Sequence, residues 1–267
     1  MVVEQYMVDA FATNVFEGNQ AAVCVTRAPL SDELMQSIAQ ENNFSETAFL
    51  VPQDASAESP SFQLRWFTPG GEVDLYGHAT LAAAFVVGRF VEPGAQRVTF
   101  DTCSGVLPVR LTDGEMILDM PAYELRPVPV TDAMERTFGV RPVEAWVARD
   151  LICVLPCEQD VQAARPSAAD LEELEGLLQV ATARGSAGSG YDCVSRCFAP
   201  KLGVYEDPVT GSSHCALAPL WAQKLGRPEI RAFQASPRTG VLRCQVDGDR
   251  VLIAGPAVLY ARAELAL

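Results

Sequence analysis

Hydrophobic and polar positions change period along the chain, and the changes mark out its elements. Residues 4–12 alternate as in a half-buried strand. After a turn at Gly18-Asn19 the run 21–26 is again extended and apolar. Ser31 precedes Asp32-Glu33-Leu34, an N-cap with acidic residues in the first turn. It predicts a helix to about Asn42 with Leu34, Met35 and Ile38 facing inward. Residues 47–51 and 62–67 are rich in β-branched and aromatic side chains and predict strands, followed by a loop at 69–74. From Gly77 to about Phe90 the pattern is apolar almost all round, so this helix is expected to be enclosed on every side. Short strands at 98–102, 106–111 and 116–120 would curl a sheet around it. Residues 121–131 hold three prolines and no period, which predicts a linker.

The second half runs through a similar scheme. A helix is predicted at 132–138 and strands near 143–147 and 151–155. Ser167 caps a predicted acidic helix over 168–178. Strands at 180–183 and 192–198 flank a Gly, Ser and Ala loop at 185–190. A second apolar helix is expected over 212–224, then four strand-like runs, with Val246-Asp247-Gly248-Asp249-Arg250-Val251 as a hairpin.

The likeness of the halves extends to residues. Arg65-Trp66-Phe67-Thr68-Pro69 returns as Arg196-Cys197-Phe198-Ala199-Pro200, 131 positions later. Each copy leads through an acidic loop to a glycine that opens an apolar helix, Gly77 and Gly211, 134 positions apart. The three extra residues fall in the second loop. This pattern predicts two pseudo-symmetric domains of class α+β, each a curled β-sheet or barrel around a central helix. The expected bounds are 1–120 and 124–257, with the tail at about 258–267 pairing back onto the first. A ligand held between them would meet two helix amino ends, whose free N–H groups favour anions.

Composition narrows the partners. The chain has 267 residues, 49% hydrophobic and 20% charged, with a formal net charge of −14. That charge argues against nucleic acid and anionic membrane surfaces as partners, because both are recognised by clustered Lys and Arg. It leaves room for a small anionic metabolite, since a local pocket can oppose the global field. The first nine residues read as a strand rather than a leader, and no apolar run approaches the ~20 residues of a membrane span. Cysteines stand at 24, 103, 153, 157, 193, 197, 215 and 244. The C-x3-C pairs Cys153/Cys157 and Cys193/Cys197 lie in strand-like runs, where an i, i+4 spacing puts both thiols on one buried face. With only two histidines, no zinc set is assembled, and reduced core thiols of a cytoplasmic protein are the expectation.

Three places carry candidate chemistry. Glu46 lies among Phe44, Ala48 and Phe49, neighbours that disfavour an ionised carboxyl group and suit a general acid/base. His78 follows Gly77 at a helix start, where the dipole favours the neutral ring. Asp207 and Ser212 precede and open the second central helix. His214 reads equally as a packed residue or as a support to the site.

Taken together, the motifs resemble the phenazine-biosynthesis PhzF-like family of the diaminopimelate-epimerase fold. The matching segments are Val8-Asp9-Ala10-Phe11, Phe16-Glu17-Gly18-Asn19, Asn43-Phe44-Ser45-Glu46-Thr47, Trp66-Phe67-Thr68-Pro69, Asp74-Leu75-Tyr76-Gly77-His78-Ala79-Thr80 and Asp207-Pro208-Val209-Thr210-Gly211-Ser212, in the expected order. The resemblance implies a homodimer and a cofactor-free isomerase. Glu46 would shuttle the proton and His78 and Asp207 would be its hydrogen-bonding partners. Asn19, Ser45, Tyr76, Gly77, Thr210, Gly211 and Ser212 would bind substrate. Two residues depart from the pattern: Tyr76 where many relatives have Cys, and Gln20 where many have Pro. Epimerases of this fold use two thiols at positions that are here Tyr76 and Thr210, and Cys215 is out of that register. A single-carboxylate isomerase is therefore favoured over a two-thiol racemase. A catalytically silent binder of a metabolite or protein is the rival reading.

Overall fold

A computed structural model of the chain describes residues 2–53, 59–73, 77–112 and 114–267. The chain divides into two compact units, Met1–Asp119 with Ala254–Leu267, and Met120–Ile253.

The first unit contains β1 (Val2–Ala10), β2 (Asn19–Val25), α1 (Asp32–Asn42), β3 (Glu46–Pro52), β4 (Ser61–Thr68), β5 (Gly71–Val73), α2 (Gly77–Val86), β6 (Arg97–Thr102), β7 (Gly105–Thr112) and β8 (Glu115–Pro121), the last reaching the boundary. β1 pairs antiparallel with β2, β2 parallel with β3, and β3 antiparallel with β4. β4 then pairs parallel with β6, and β6, β7 and β8 follow antiparallel, while β5 folds back on β4. The sheet curls around α2, whose residues are buried except for the half-buried Phe85. The all-apolar pattern explains this, because a helix without a polar face is stable only when covered on all sides. After Val86 the helix widens into a π-turn, Val87–Val91, that lays Phe90 on Tyr6 with ring centroids 5.0 Å apart.

The second unit contains β9 (Arg126–Val128), α3 (Asp132–Phe138), β10 (Glu144–Val147), β11 (Leu151–Val154), α4 (Glu158–Ala163), α5 (Ala168–Glu172), β12 (Gln179–Arg184), β13 (Cys193–Ala199), β14 (Val204–Asp207), α6 (His214–Leu225), β15 (Glu229–Gln234) and β16 (Gly240–Asp247). The long strand β17 (Arg250–Ala266) leaves this unit and pairs antiparallel with β1 in the first. The order of pairing is that of the first unit. β10 and β11 are antiparallel, β11 and β12 parallel, β12 and β13 antiparallel, β13 and β15 parallel, and β15 and β16 antiparallel, with β14 folded back on β13. α6 is the enclosed helix of this unit, with Cys215, Leu217, Leu220 and Trp221 buried.

Several expectations are corrected. The helix predicted over 168–178 stops at Glu172, since Gly176 takes a left-handed φ of 86° and a side chain there would meet the Leu151 amide. The expected linker contains a strand, β9, because Pro127 sits at a strand edge where no amide is needed, opposite Trp146. α6 begins at His214 rather than Ser212, after a tight turn in which the His214 and Cys215 amides donate to the carbonyls of Gly211 and Ser212. Four final strand-like runs resolve into three strands, because the last run continues unbroken through β17; the hairpin at Gly248 is present. Cys193 and Cys197 are buried together on β13, but Cys157 is exposed while Cys153 is buried. Pro156 ends the apolar run, and Cys157 becomes the N-cap position of α4. Among the described residues no helix is long and apolar enough to cross a membrane.

Candidate active site

Glu46 is positioned by the way α1 hands over to β3. Asn43 closes the helix in a left-handed conformation, φ 50°, and its amide bonds Ala39 O. Asparagine tolerates that conformation better than most residues. Beside it, Asn42 Nδ2 donates to Gln5 Oε1 and to Thr47 Oγ1, each at 3.0 Å, which fixes the first residues of β3. Glu46 thus begins the strand in an enclosed position, only 4% exposed.

The other side chains of the first unit converge on it. His78, 3% exposed, sits in the first turn of α2, and its Nε2 lies 2.5 Å from Glu46 Oε2. This is ion-pair contact without the alignment of a hydrogen bond, and Glu46 Oε2 has no aligned donor. Asn19, fully buried at the start of β2, donates from Nδ2 to His78 Nδ1 at 3.2 Å, and its Oδ1 faces Ser45 Oγ at 3.5 Å. With Asn19 donating, Nδ1 is an acceptor and the ring proton is on Nε2, facing the carboxylate. A buried carboxylate met by a single misaligned ring N–H is costly in a finished core and leaves Glu46 able to accept from a ligand. Asn19, Ser45, Glu46 and His78, singled out from sequence, therefore form one cluster. Gly77, buried, opens α2 beside them. Tyr76 lies outside the described residues.

The second unit gathers Asp207, Thr210, Gly211 and Ser212 into the turn that opens α6. Thr210 Oγ1 donates to Asp207 Oδ2 at 2.5 Å. Buried Gln234 clamps this turn: its Oε1 accepts from the Thr210 amide at 2.8 Å and its Nε2 donates to Asp207 O at 2.7 Å. His214 has no exposed surface, and its Nδ1 donates to Thr210 O at 2.8 Å. Burial lowers its pKa to about 4, opposed by the Thr210 carbonyl, so the ring is neutral. It is a packed residue that also braces the site loop. The adjacent thiol, Cys215, is pushed up to about 12 by burial, so it is protonated at neutral pH and is not a poised nucleophile.

Sequence reasoning missed Gln234 and the pair Arg149–Asp150. Arg149 Nε and Nη2 donate to Asp150 Oδ1 and Oδ2 at 2.9 and 2.8 Å, and Nη2 also reaches Ser212 Oγ at 2.9 Å. Asp150 is 1% exposed and accepts from Ser213 Oγ at 2.9 Å. The available signal was an adjacent charge pair inside the apolar stretch Trp146-Val147-Ala148 and Leu151-Ile152-Cys153-Val154. Gln234 ends an ordinary strand and gave none.

A hydroxyproline epimerase from Agrobacterium vitis superposes with a TM-score of 0.64 over all of this chain and 93% of its own, at 11% identity, a likeness of fold alone. Far closer is the phenazine biosynthesis-like protein family (PhzC-PhzF), whose model matches residues 8–263; the chain belongs to that family. It is 45% identical to an uncharacterized isomerase of Pseudomonas aeruginosa over the full length of both proteins. A crystal structure of a PhzF-family phenazine biosynthesis protein from Enterococcus faecalis matches it with a TM-score of 0.95 and 42% identity, covering both chains entirely. The Pseudomonas aeruginosa relative in this family is thus named an isomerase.

Proposed function

We propose that this protein is a cofactor-independent isomerase that moves a proton between carbons of a small carboxylate-bearing metabolite. The observation that carries the proposal is the enclosed Glu46 carboxylate, in contact with a neutral His78 and holding one oxygen without an aligned donor. Glu46 removes a proton made acidic by a neighbouring unsaturated or carbonyl group and returns it at another carbon. The Nε2–H of His78 stabilises the carboxylate, and Asn19, faced in turn by Ser45, holds the His78 ring in the required tautomer. Asp207, held by Thr210, Gln234 and the turn before α6, serves as the second hydrogen-bonding partner. Tyr76, Gly77, Gly211 and Ser212 complete the substrate contacts, and fixing the substrate so that one base reaches both carbons supplies much of the rate. A cytoplasmic homodimer is part of the same proposal.

Candidate carboxylates are incubated with the protein in heavy water and followed by NMR. Deuterium entering a carbon-bound position of at least one of them is the expected result. Specific binding with no exchange in any binder would identify a silent metabolite-binding relative instead.

A further inference from the structure

We propose that Arg149 is an anion-selecting residue of this protein, binding the carboxylate of the substrate through its guanidinium beside Ser212. The inference deepens the reading above, resting on Ser212 and the α6 opening facing substrate. Arg149 lies in the three-residue loop between β10 and β11, far in sequence from any motif of the site. Its Nε and Nη2 are occupied by Asp150 and Ser212. A guanidinium has five N–H donors; these bonds take three, and the two on Nη1 remain for the neighbouring Tyr123 hydroxyl and a ligand. The side chain is 33% exposed whereas its partner Asp150 is 1% exposed. Burial alone would disfavour the charged form, but the bonds to Asp150 outweigh it and raise the Arg149 pKa. The ring of Tyr123 lies 5.6 Å from the guanidinium carbon and restrains its plane.

A structural pin would need only the Arg149–Asp150–Ser213 links. The further bond to Ser212 ties the guanidinium to the α6 opening, and 33% of its side chain stays exposed there. A fixed, planar, partly desolvated guanidinium with a donor nitrogen to spare gives a carboxylate a charge-assisted hydrogen bond of set direction, which a flexible lysine ammonium would not reproduce. The substrate would therefore be anionic at the end held by the second unit, and its neutral carboxamide analogue would be rejected.

The test uses the whole protein with benzoate and benzamide as probes, reading the Arg149 side-chain resonances by nitrogen-15 NMR. Saturable benzoate binding that shifts those resonances, with benzamide silent, is expected. Arg149→Lys should weaken benzoate about tenfold, the size of one lost charge-assisted hydrogen bond. Arg149→Met alone would strand Asp150, so the paired variant Arg149→Met with Asp150→Asn is used, its fold checked by thermal melting. It should show no saturable binding. Glu46→Gln should still bind benzoate, so loss of exchange in that variant bears on the acid/base and not on Arg149. Equal benzoate affinity in the paired variant, or no saturable binding to the unaltered protein up to about 10 mM, overturns the proposal.

Discussion

The two halves of this chain share a frame and differ in what they mount on it. In the first, Arg65 makes a two-pronged bond to Glu72 at 2.6 and 2.7 Å and lies 5.2 Å from the centre of the Phe67 ring. In the second, Arg196 does the same to Glu206 at 2.7 and 2.7 Å and lies 5.0 Å from the Phe198 ring. Each glutamate pairs across the sheet with the phenylalanine of its own repeat, Phe67 with Glu72 and Phe198 with Glu206. The R-x-F repeat is therefore a clamp that fastens the strand leading to each central helix. Phe67 also faces Thr47, and Phe198 faces Gln179, so the position before each is equivalent: Glu46 in the first half and buried Leu178 in the second. After the helix-opening glycine the halves carry His78 and Ser212. Repetition preserved the scaffold, while a buried carboxylate at this position is present in one half only.

The clamps differ in burial, and that gives the largest expected effect. Arg196 and Glu206 are 5% and 7% exposed, whereas Arg65 and Glu72 are 23% and 34% exposed. Arg196→Met strands a buried carboxylate and should cost about 3–5 kcal/mol in urea unfolding. Replacing Glu206 by Leu as well should recover most of that loss. A single variant as stable as the original would show that the second clamp is not enclosed.

A smaller effect is expected from the second helix start. Unfolded His214 takes up a proton below its ordinary value of 6.5, but folded His214 resists until about 4. Between those values the unfolded chain binds more protons, so stability rises with pH through the window and is lost as pH falls toward 4. The difference is worth up to ~3 kcal/mol. Unfolding His214→Gln beside the original protein across that range should show a shallower slope; identical slopes would mean the ring titrates freely.

Arg65→Met should be the mildest, about 1 kcal/mol or less, because its partners are solvated and screened. A loss as large as that of Arg196→Met would erase the distinction between the clamps.

How far these features were legible depends on whether they were encoded locally. The cap Ser31, the apolar helices and the R-x-F repeat are short-range patterns, and α1 and the central helices follow from them. Glu46 stood out because an acidic residue among Phe44, Ala48 and Phe49 breaks the local pattern. The early end of α5 depends on Gly176 meeting Leu151, and Gln234 reaches Thr210 across 24 residues; neither contact exists until the sheet forms. The tail at about 258–267 reads as pairing back onto the first half, and β17 does pair with β1; that it is one unbroken strand from Arg250 has no distinguishing period in the sequence.

The central claim, that the proton is carried by the single carboxylate of the first half, is tested most directly by Glu46→Gln. With a substrate that exchanges deuterium, the variant should keep its fold and its affinity while exchange falls by at least ~10²–10⁴, the usual contribution of a positioned acid/base. Exchange at a near-normal rate in a properly folded Glu46→Gln would contradict the account.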